Sequence, residues 1–355
     1  MQSFVSRRVA AFSLTLLLTV LGVDAAEISN LYSVAVPVVD QSDAVRRAAE
    51  VEAMKAVLTK VSGTTSVVTM TGVIENLSKA SAYIQRFQYQ QLSSPINYNG
   101  IDTRLRLEFS FDGRAIERLL QSASAPIWGV RRPMVLIWFV LNDDNGRRII
   151  GSDDDVELAR EWNEAAAQRG VPSVLPLYDL EESNAVQVAD VYGRFIEPLQ
   201  TLSKRYGAEA MLVGRLEKNA NVWSGQLTLA HGNIRKSINA DGTSRQQVLQ
   251  SVMAQVAETF SQKYAVVVDP SKESEVLVKI NAIHNVQDYG AVQTLLQSLQ
   301  VVRQADAREV NGESIVFAVR LIADVSLLQQ ALGADQRLQM IGDGLNNSLE
   351  YEWLP

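Results

Sequence analysis

Met134-Val135-Leu136-Ile137-Trp138-Phe139-Val140-Leu141 is the longest uninterrupted apolar run after the N-terminal region. Eight residues are too few to cross a bilayer as a helix, and without a polar alternation the run demands burial on both faces. It reads as the central strand of an α/β sheet. Arg131-Arg132-Pro133 opens it, and Asn142-Asp143-Asp144-Asn145-Gly146 follows it as a turn, because Asn and Asp bond their own backbone and tolerate left-handed conformations. A helix is expected from Asp153 to Arg169, its aspartates at the positive end of the macrodipole and Gly170 as its stop. A short strand at Val174 to Tyr178 comes next, then a helix from Asn184 to Tyr206 that breaks near Pro198. Ala210 to Val213 and Val222 to Ala230, joined around Lys218-Asn219, read as an antiparallel pair, and Gln246 to Tyr264 as a closing helix.

This unit is bounded by Ser124-Ala125-Pro126 and Asp269-Pro270-Ser271, giving a middle α/β domain at 126–270. Before it, residues 26–125 read as an α+β domain. Its parts are a strand from Tyr32 to Val39, an Ala/Val-rich helix from Asp43 to Lys60 stopped by Ser62-Gly63, and a helix from Val73 to Ala82. A hairpin of Tyr83 to Leu92 and Leu105 to Phe111, its loop holding Pro95 and Asn99-Gly100, and a helix from Ala115 to Ser122 complete it. Two apolar lines on the long helix, one through Ala44 and Ala48 and one through Ala49 and Val57, suggest cover on two faces. After the middle unit, residues 271–355 give strand Val276 to Ile283, helix Tyr289 to Leu299, strands Val301 to Arg308 and Ser314 to Leu321, helix Val325 to Leu332 and a last strand at Leu338 to Ile341. That order is ferredoxin-like. The expected fold is three small domains of α+β and α/β class, with mixed sheets and packed helices.

The chain has 355 residues, 47% hydrophobic and 21% charged, with 33 Lys+Arg against 40 Asp+Glu and a net charge of −7. This composition is globular, and without a basic stripe it argues against nucleic acid. Residues 1–25 read as a secretory signal peptide: Arg7-Arg8, an apolar stretch from Val9 to Val23, and Val23-Asp24-Ala25 before a cleavage after Ala25. The chain contains no cysteine, so exported domains would be held by packing alone and no lipid-acceptor residue follows the signal. A periplasmic location and no membrane span after cleavage are expected.

Little in the sequence carries chemistry. With only His231 and His284 and no cysteine, His/Cys metal centres and Cys-His nucleophile pairs are excluded by inventory. No G-x-S-x-G elbow is present; Val222-Trp223-Ser224-Gly225 lacks the first glycine. An EF-hand alignment on Gly146 fails where Leu141 and Ser152 stand in place of its strongest ligands, and no phosphate-binding loop occurs. No catalytic, cofactor or metal residue is assigned. A weak cation or sugar site remains conceivable where Asp143, Asp144 and Asp153 to Asp155 would converge beside Trp162. The other tryptophans read as core, except Trp353 in Tyr351-Glu352-Trp353-Leu354-Pro355, a tail that either docks on its own domain or is shown to a partner.

Three segments together carry a likeness: Tyr32-Ser-Val-Ala-Val-Pro-Val running through its helix into Leu58-Thr-Lys-Val-Ser-Gly63, the strand Pro133-Met-Val-Leu-Ile-Trp138, and Ile283 to Leu299 with Asp288-Tyr289. They resemble the exported proteobacterial proteins of domain-of-unknown-function family 2066 (DUF2066), and the resemblance implies a cell-envelope protein without transferable active-site residues. Gly207-Ala-Glu-Ala-Met-Leu-Val-Gly214-Arg215 is weakly similar to the N-terminal domain of Tol-system propeller proteins. The functional expectation is a soluble, non-enzymatic periplasmic adaptor or accessory factor that binds envelope proteins through inter-domain clefts or sheet edges, with Val222 to Ala230 and Ser314 to Leu321 as the recruiting edges. The alternative is a carbohydrate- or peptidoglycan-binding protein or a carboxylate-based hydrolase. No cofactor is expected.

Overall fold

A computed structural model describes residues 30–98, 100–268, 274–299, 301–333, 335, 337–344 and 348–354. The expected signal peptide and the boundary at 269–271 lie outside these residues. The first unit begins with β1 (Ser33–Val38) and α1 (Asp43–Ser62), whose start is fixed by the Ser42 side chain accepting from the Val45 N–H. Its end is fixed by Gly63, left-handed at φ 77°, whose N–H donates to the Thr59 carbonyl. A Cβ at Gly63 would lie 2.4 Å from the Ser261 Cβ and 2.8 Å from the Trp128 ring, so both conformation and proximity require glycine. One face of α1 is buried, through Ala49, Ala53, Met54, Val57, Leu58 and Val61. Ala44 and Ala48 are exposed, so the expected cover on two faces is not found.

Next come α2 (Thr71–Leu77), β2 (Ile84–Tyr98), β3 (Ile101–Phe111) and α3 (Gly113–Ser122), the last capped by Asp112. The strands form a sheet in the order β1-β3-β2, and α2 is shorter than the sequence suggested. Pro95 stands within β2 at a shift in register between Gln91 and Ile96, where a proline costs no ladder bond, rather than in a loop.

The middle unit starts with β4 (Pro126–Ile127) and β5 (Val135–Asp143), continues with β6 (Gly146–Ile149), α4 (Val156–Arg169) and β7 (Ser173–Val174), and then runs through three short helices. These are α5 (Leu180–Ala185), α6 (Val188–Tyr192) and α7 (Glu197–Ser203), so the expected single kinked helix is broken twice, with Pro198 starting the last piece. It ends with β8 (Ala210–Asn219), β9 (Val222–His231), β10 (Ile234–Gly242), α8 (Arg245–Tyr264) and β11 (Val266–Val267). The sheet order is β10-β9-β8-β5-β6, with β7 also pairing β5. β5 runs parallel to β8 in the middle of it, Val135 opposite Ala210 through Asn142 opposite Glu217. Val135, Ile137, Phe139 and Leu141 point into a core closed by α4 and α8, while Leu136, Trp138 and Val140 point into a second core closed by α6 and α7. The unbroken apolar run is therefore two alternating half-cores.

β10 was not foreseen, and because it covers β9, the stretch Val222 to Ala230 is internal and offers no free edge. The helix expected from Asp153 begins at Val156, because Asp155 caps it through the Leu158 N–H at 3.0 Å while Asp154 turns back to the Gly151 N–H at 2.7 Å.

The third unit contains β12 (Ser274–Asn281), α9 (Val286–Ser298), β13 (Val302–Asn311), β14 (Ser314–Leu321), α10 (Val325–Gly333), β15 (Leu338–Gly344) and β16 (Ser348–Trp353), in sheet order β13-β14-β12-β16-β15. The first half is the ferredoxin-like split βαβ. The second half departs from it, since a hairpin of β15 and β16 replaces the single last strand and β16 runs parallel to β12. β14 lies between β12 and β13 and, like β9, is no edge. Trp353, 3% exposed on β16, docks on its own unit.

One residue holds the first two units in register. Arg132, 1% exposed, donates to five carbonyls and to no carboxylate: Gly129 (2.9 Å), Trp128 (2.7 Å), Lys60 (2.8 Å), Arg169 (3.3 Å) and Gly170 (2.8 Å). The last three lie at the C-terminal ends of α1 and α4, whose partial negative charges offset the cost of burying the cation. Its guanidinium also stacks 4.0 Å above the Trp128 ring. Burial pulls the Arg132 pKa down to about 9. The neighbouring Lys60 ammonium, bonded to the Asn30 (2.6 Å) and Ser33 (3.2 Å) carbonyls, is pulled down to about 8 by burial and by Arg132.

Candidate functional site

Beside this hub the middle and third units meet around a cleft of about 530 Å³. The connection from Trp128 to Pro133 forms one wall, Gly207 to Glu209 ahead of β8 a second, Tyr264 and Val266 a third, and Ser298 to Ala331 with Asp335 and Arg337 the fourth. The volume falls in the range of small-ligand sites, and its position between packed units is where such sites form.

The strand start positions Glu209. Its backbone N–H and that of Ala210 donate to the Met134 carbonyl (3.1 and 3.0 Å), locking it between β5 and β8. Its carbonyl oxygen takes a hydrogen bond from His231 Nδ1 at 2.8 Å. A carbonyl only accepts, so Nδ1 carries the proton, and Nε2 accepts from the Tyr264 hydroxyl. Burial lowers the His231 pKa, which keeps the ring neutral in that tautomer, and burial together with Glu209 pushes Tyr264 up to about 12. His231, at the end of β9, is therefore a structural bridge, packed edge-on against Phe260 at 5.5 Å.

The Glu209 carboxylate itself makes no hydrogen bond or ion pair among the described residues. Burial raises its pKa, with Arg131 acting against the rise. Across the cleft Asp335 is saturated. Arg131 reaches it at 2.9 Å and Arg337 at 3.0 Å, and these guanidiniums hold its carboxyl below the usual range although burial works against its charge. Lys204 lies on the same wall as Glu209 and forms no ion pair among the described residues. A second pocket of about 290 Å³, reaching His231 and Arg235, shares Lys204, Ala208 and Glu209 with the first, so Glu209 sits on the partition of a longer groove.

The acidic turn builds no such site. Asp143 is held by Arg148 at 2.7 and 3.1 Å and lies low in pKa for that reason; Asp144 pairs with Lys218 at 2.5 Å, and Asp153 is exposed beside the Ser152 hydroxyl. Trp162, 1% exposed, packs on Phe139 at 5.5 Å inside the core and cannot serve as a sugar platform. The carboxylates and tryptophan considered together in the sequence are thus dispersed. Among the described residues no group of three His, Asp or Glu side chains is placed to hold a metal ion, and no helix is long and apolar enough to cross a membrane. His284 is exposed, 3.2 Å from Glu313.

Sequence reasoning passed over Glu209, Arg131, Asp335 and Arg337. The available signal was an acid one position before a buried strand, in Gly207-Ala-Glu-Ala-Met211, where a carboxylate has no packing reason to stand.

The family description that matches the chain is Domain of unknown function (DUF8605), over residues 25–129, the span that takes in β1 to β4 and stops just before Arg131 and Arg132. This overturns the likeness to family 2066. No curated protein and no solved structure matches the chain, so nothing supports the Tol-type likeness of Gly207 to Arg215, whose pattern describes only a buried strand after a helix.

Proposed function

We propose that the chain is a periplasmic, non-enzymatic binding protein, an adaptor or accessory factor of the cell envelope, that receives a segment of a partner protein in the cleft between its middle and third units. The observation that carries this reading is the cleft itself: it is walled by the middle and third units and contains a pinned acid that makes no hydrogen bond or ion pair among the described residues. The hydroxyls around it are spent on structure, Tyr264 on His231 and Ser298 on the Leu295 carbonyl at 2.7 Å, which suits binding better than covalent chemistry.

A photo-crosslinking side chain placed at Ala208 or Ala331 in living cells, with the exposed Lys236 on β10 as control position, tests the reading. The expected result is one recurrent protein adduct from the cleft positions, in the periplasmic fraction, absent from the control. Adducts equal at all three positions, or recovery in the cytoplasm, would overturn it.

A carbohydrate-binding or carboxylate-hydrolase role is the second reading. It is favoured by one observation, that Glu209 and Asp335 line one cleft with their carboxyls pushed in opposite directions. Asp335 is bound by two guanidiniums, however, which blunts it as a base or nucleophile. Release of reducing ends from peptidoglycan that is lost on Glu209→Gln would favour this reading over the first.

A further inference from the structure

We infer that Glu209 is the recognition group of the cleft and that it takes a primary ammonium carried on an apolar polypeptide segment, either the α-amine of a chain terminus or a lysine side chain. The inference rests on the binding-protein reading and adds to it the chemistry of the ligand.

Arg131 and Arg337 already share Asp335, and Arg132 is spent on backbone carbonyls, so the guanidiniums of the site are used internally. Glu209 is the opposite case, since its backbone is fixed at both N–H and carbonyl while its carboxylate reaches no donor among the described residues. A partly desolvated carboxylate held in one place gains from a cation brought to it, because water no longer competes fully for the charge. A divalent metal does not fit, since such ions need several oxygen ligands and Glu209 is the one carboxylate of the pair left uncommitted. Lys204 shares the wall but is not within ion-pair distance. Val130, Val266, Leu299, Val301 and Ala331 make an apolar part of the lining that suits aliphatic side chains beside the ammonium. The position of Glu209 on the partition between the two pockets lets an extended segment pass along both.

Isothermal titration of the full chain with four short peptides of one aliphatic sequence tests this: free α-amine, N-acetylated with one lysine, N-acetylated with norleucine in place of that lysine, and N-acetylated with arginine there. The free-amine or the lysine peptide is expected to bind, and the one that does so tells whether the terminus or the side chain is read. The norleucine peptide is expected not to bind, and the arginine peptide only weakly. Glu209→Gln should weaken the binding peptide about tenfold or more, with an unchanged melting temperature. Lys236→Met, on the exposed face of β10, should not weaken it. If the norleucine peptide binds as tightly as the ammonium peptides, or if Glu209→Gln binds normally, the ammonium inference is overturned while the cleft remains a polypeptide site. If none of the four peptides binds, the ammonium inference is overturned, and the crosslinking from Ala208 and Ala331 decides the binding-protein reading on its own.

Discussion

At the scale of single residues, Arg132 carries the most consequence. It satisfies carbonyls at the ends of two helices from two units, so its removal orphans acceptors on both sides. Arg132→Met is expected to cost on the order of 3 kcal/mol, read as a shift in the urea midpoint, and Arg132→Lys to recover little of it, because an ammonium cannot reproduce the fork. Lys60 gives a pH signature. With its folded pKa near 8 and an ordinary value of 10.5, the unfolded chain holds a proton through that interval that the folded chain has lost. Stability therefore rises with pH from about 8 towards 10, and falls beyond as Tyr264, raised to about 12 when folded, ionises first in the unfolded chain. Melting temperatures across pH 7 to 11 check this, and Lys60→Met should remove the early part of the rise. Gly63→Ala, forced into a left-handed conformation against Ser261 and Trp128, should cost roughly 1–3 kcal/mol in the same assay. Gly63 and Gly170 were both legible in the sequence, because helix stops are written in local chemistry. Glu209 and Arg132 were not, since what distinguishes each is the set of groups that tertiary packing brings to it.

At the scale of elements, β5 was readable because a run buried on both faces leaves no alternation to misread. β10 was missed for the converse reason: Ile234-Arg-Lys-Ser-Ile-Asn-Ala-Asp-Gly242 is an edge strand, and its buried Ile238 and Ala240 are diluted by exposed charge. That charge defends the edge against pairing with other chains. β2 is defended less well. Gln85 to Gln91 on its open side carries Arg86 as its single charge, with Phe87 44% exposed. Gln88→Lys is accordingly expected to slow aggregation of the heated protein, measured by light scattering, without lowering the melting temperature. Hydrogen exchange should rank the elements as their burial does. Amides of β5 and β8 should be the last to exchange, and those of α5 to α7, three short helices on one face, among the first of the middle unit.

At the scale of the molecule, the third unit depends on its last strand. β16 lies between β12 and β15 and brings Leu349, Tyr351 and Trp353 into the core. Removal of residues 348–355 should leave that unit open to protease while β5 and α8 stay protected, and limited proteolysis with mass mapping reads the difference. The ferredoxin-like order was legible only up to α10, because a final hairpin and a final single strand look alike until the parallel partner of β16 is known. The short pairing of β4 with β11 has a further consequence. Ile127 stands opposite Val266, so the polypeptide leaves the first unit and returns to it at neighbouring points, and Val268 packs into the same core as Ile127. Topologically the middle unit is an insert: a short linker from Ile127 to Val266 could close the gap, and a foreign domain with adjacent termini could be spliced in its place.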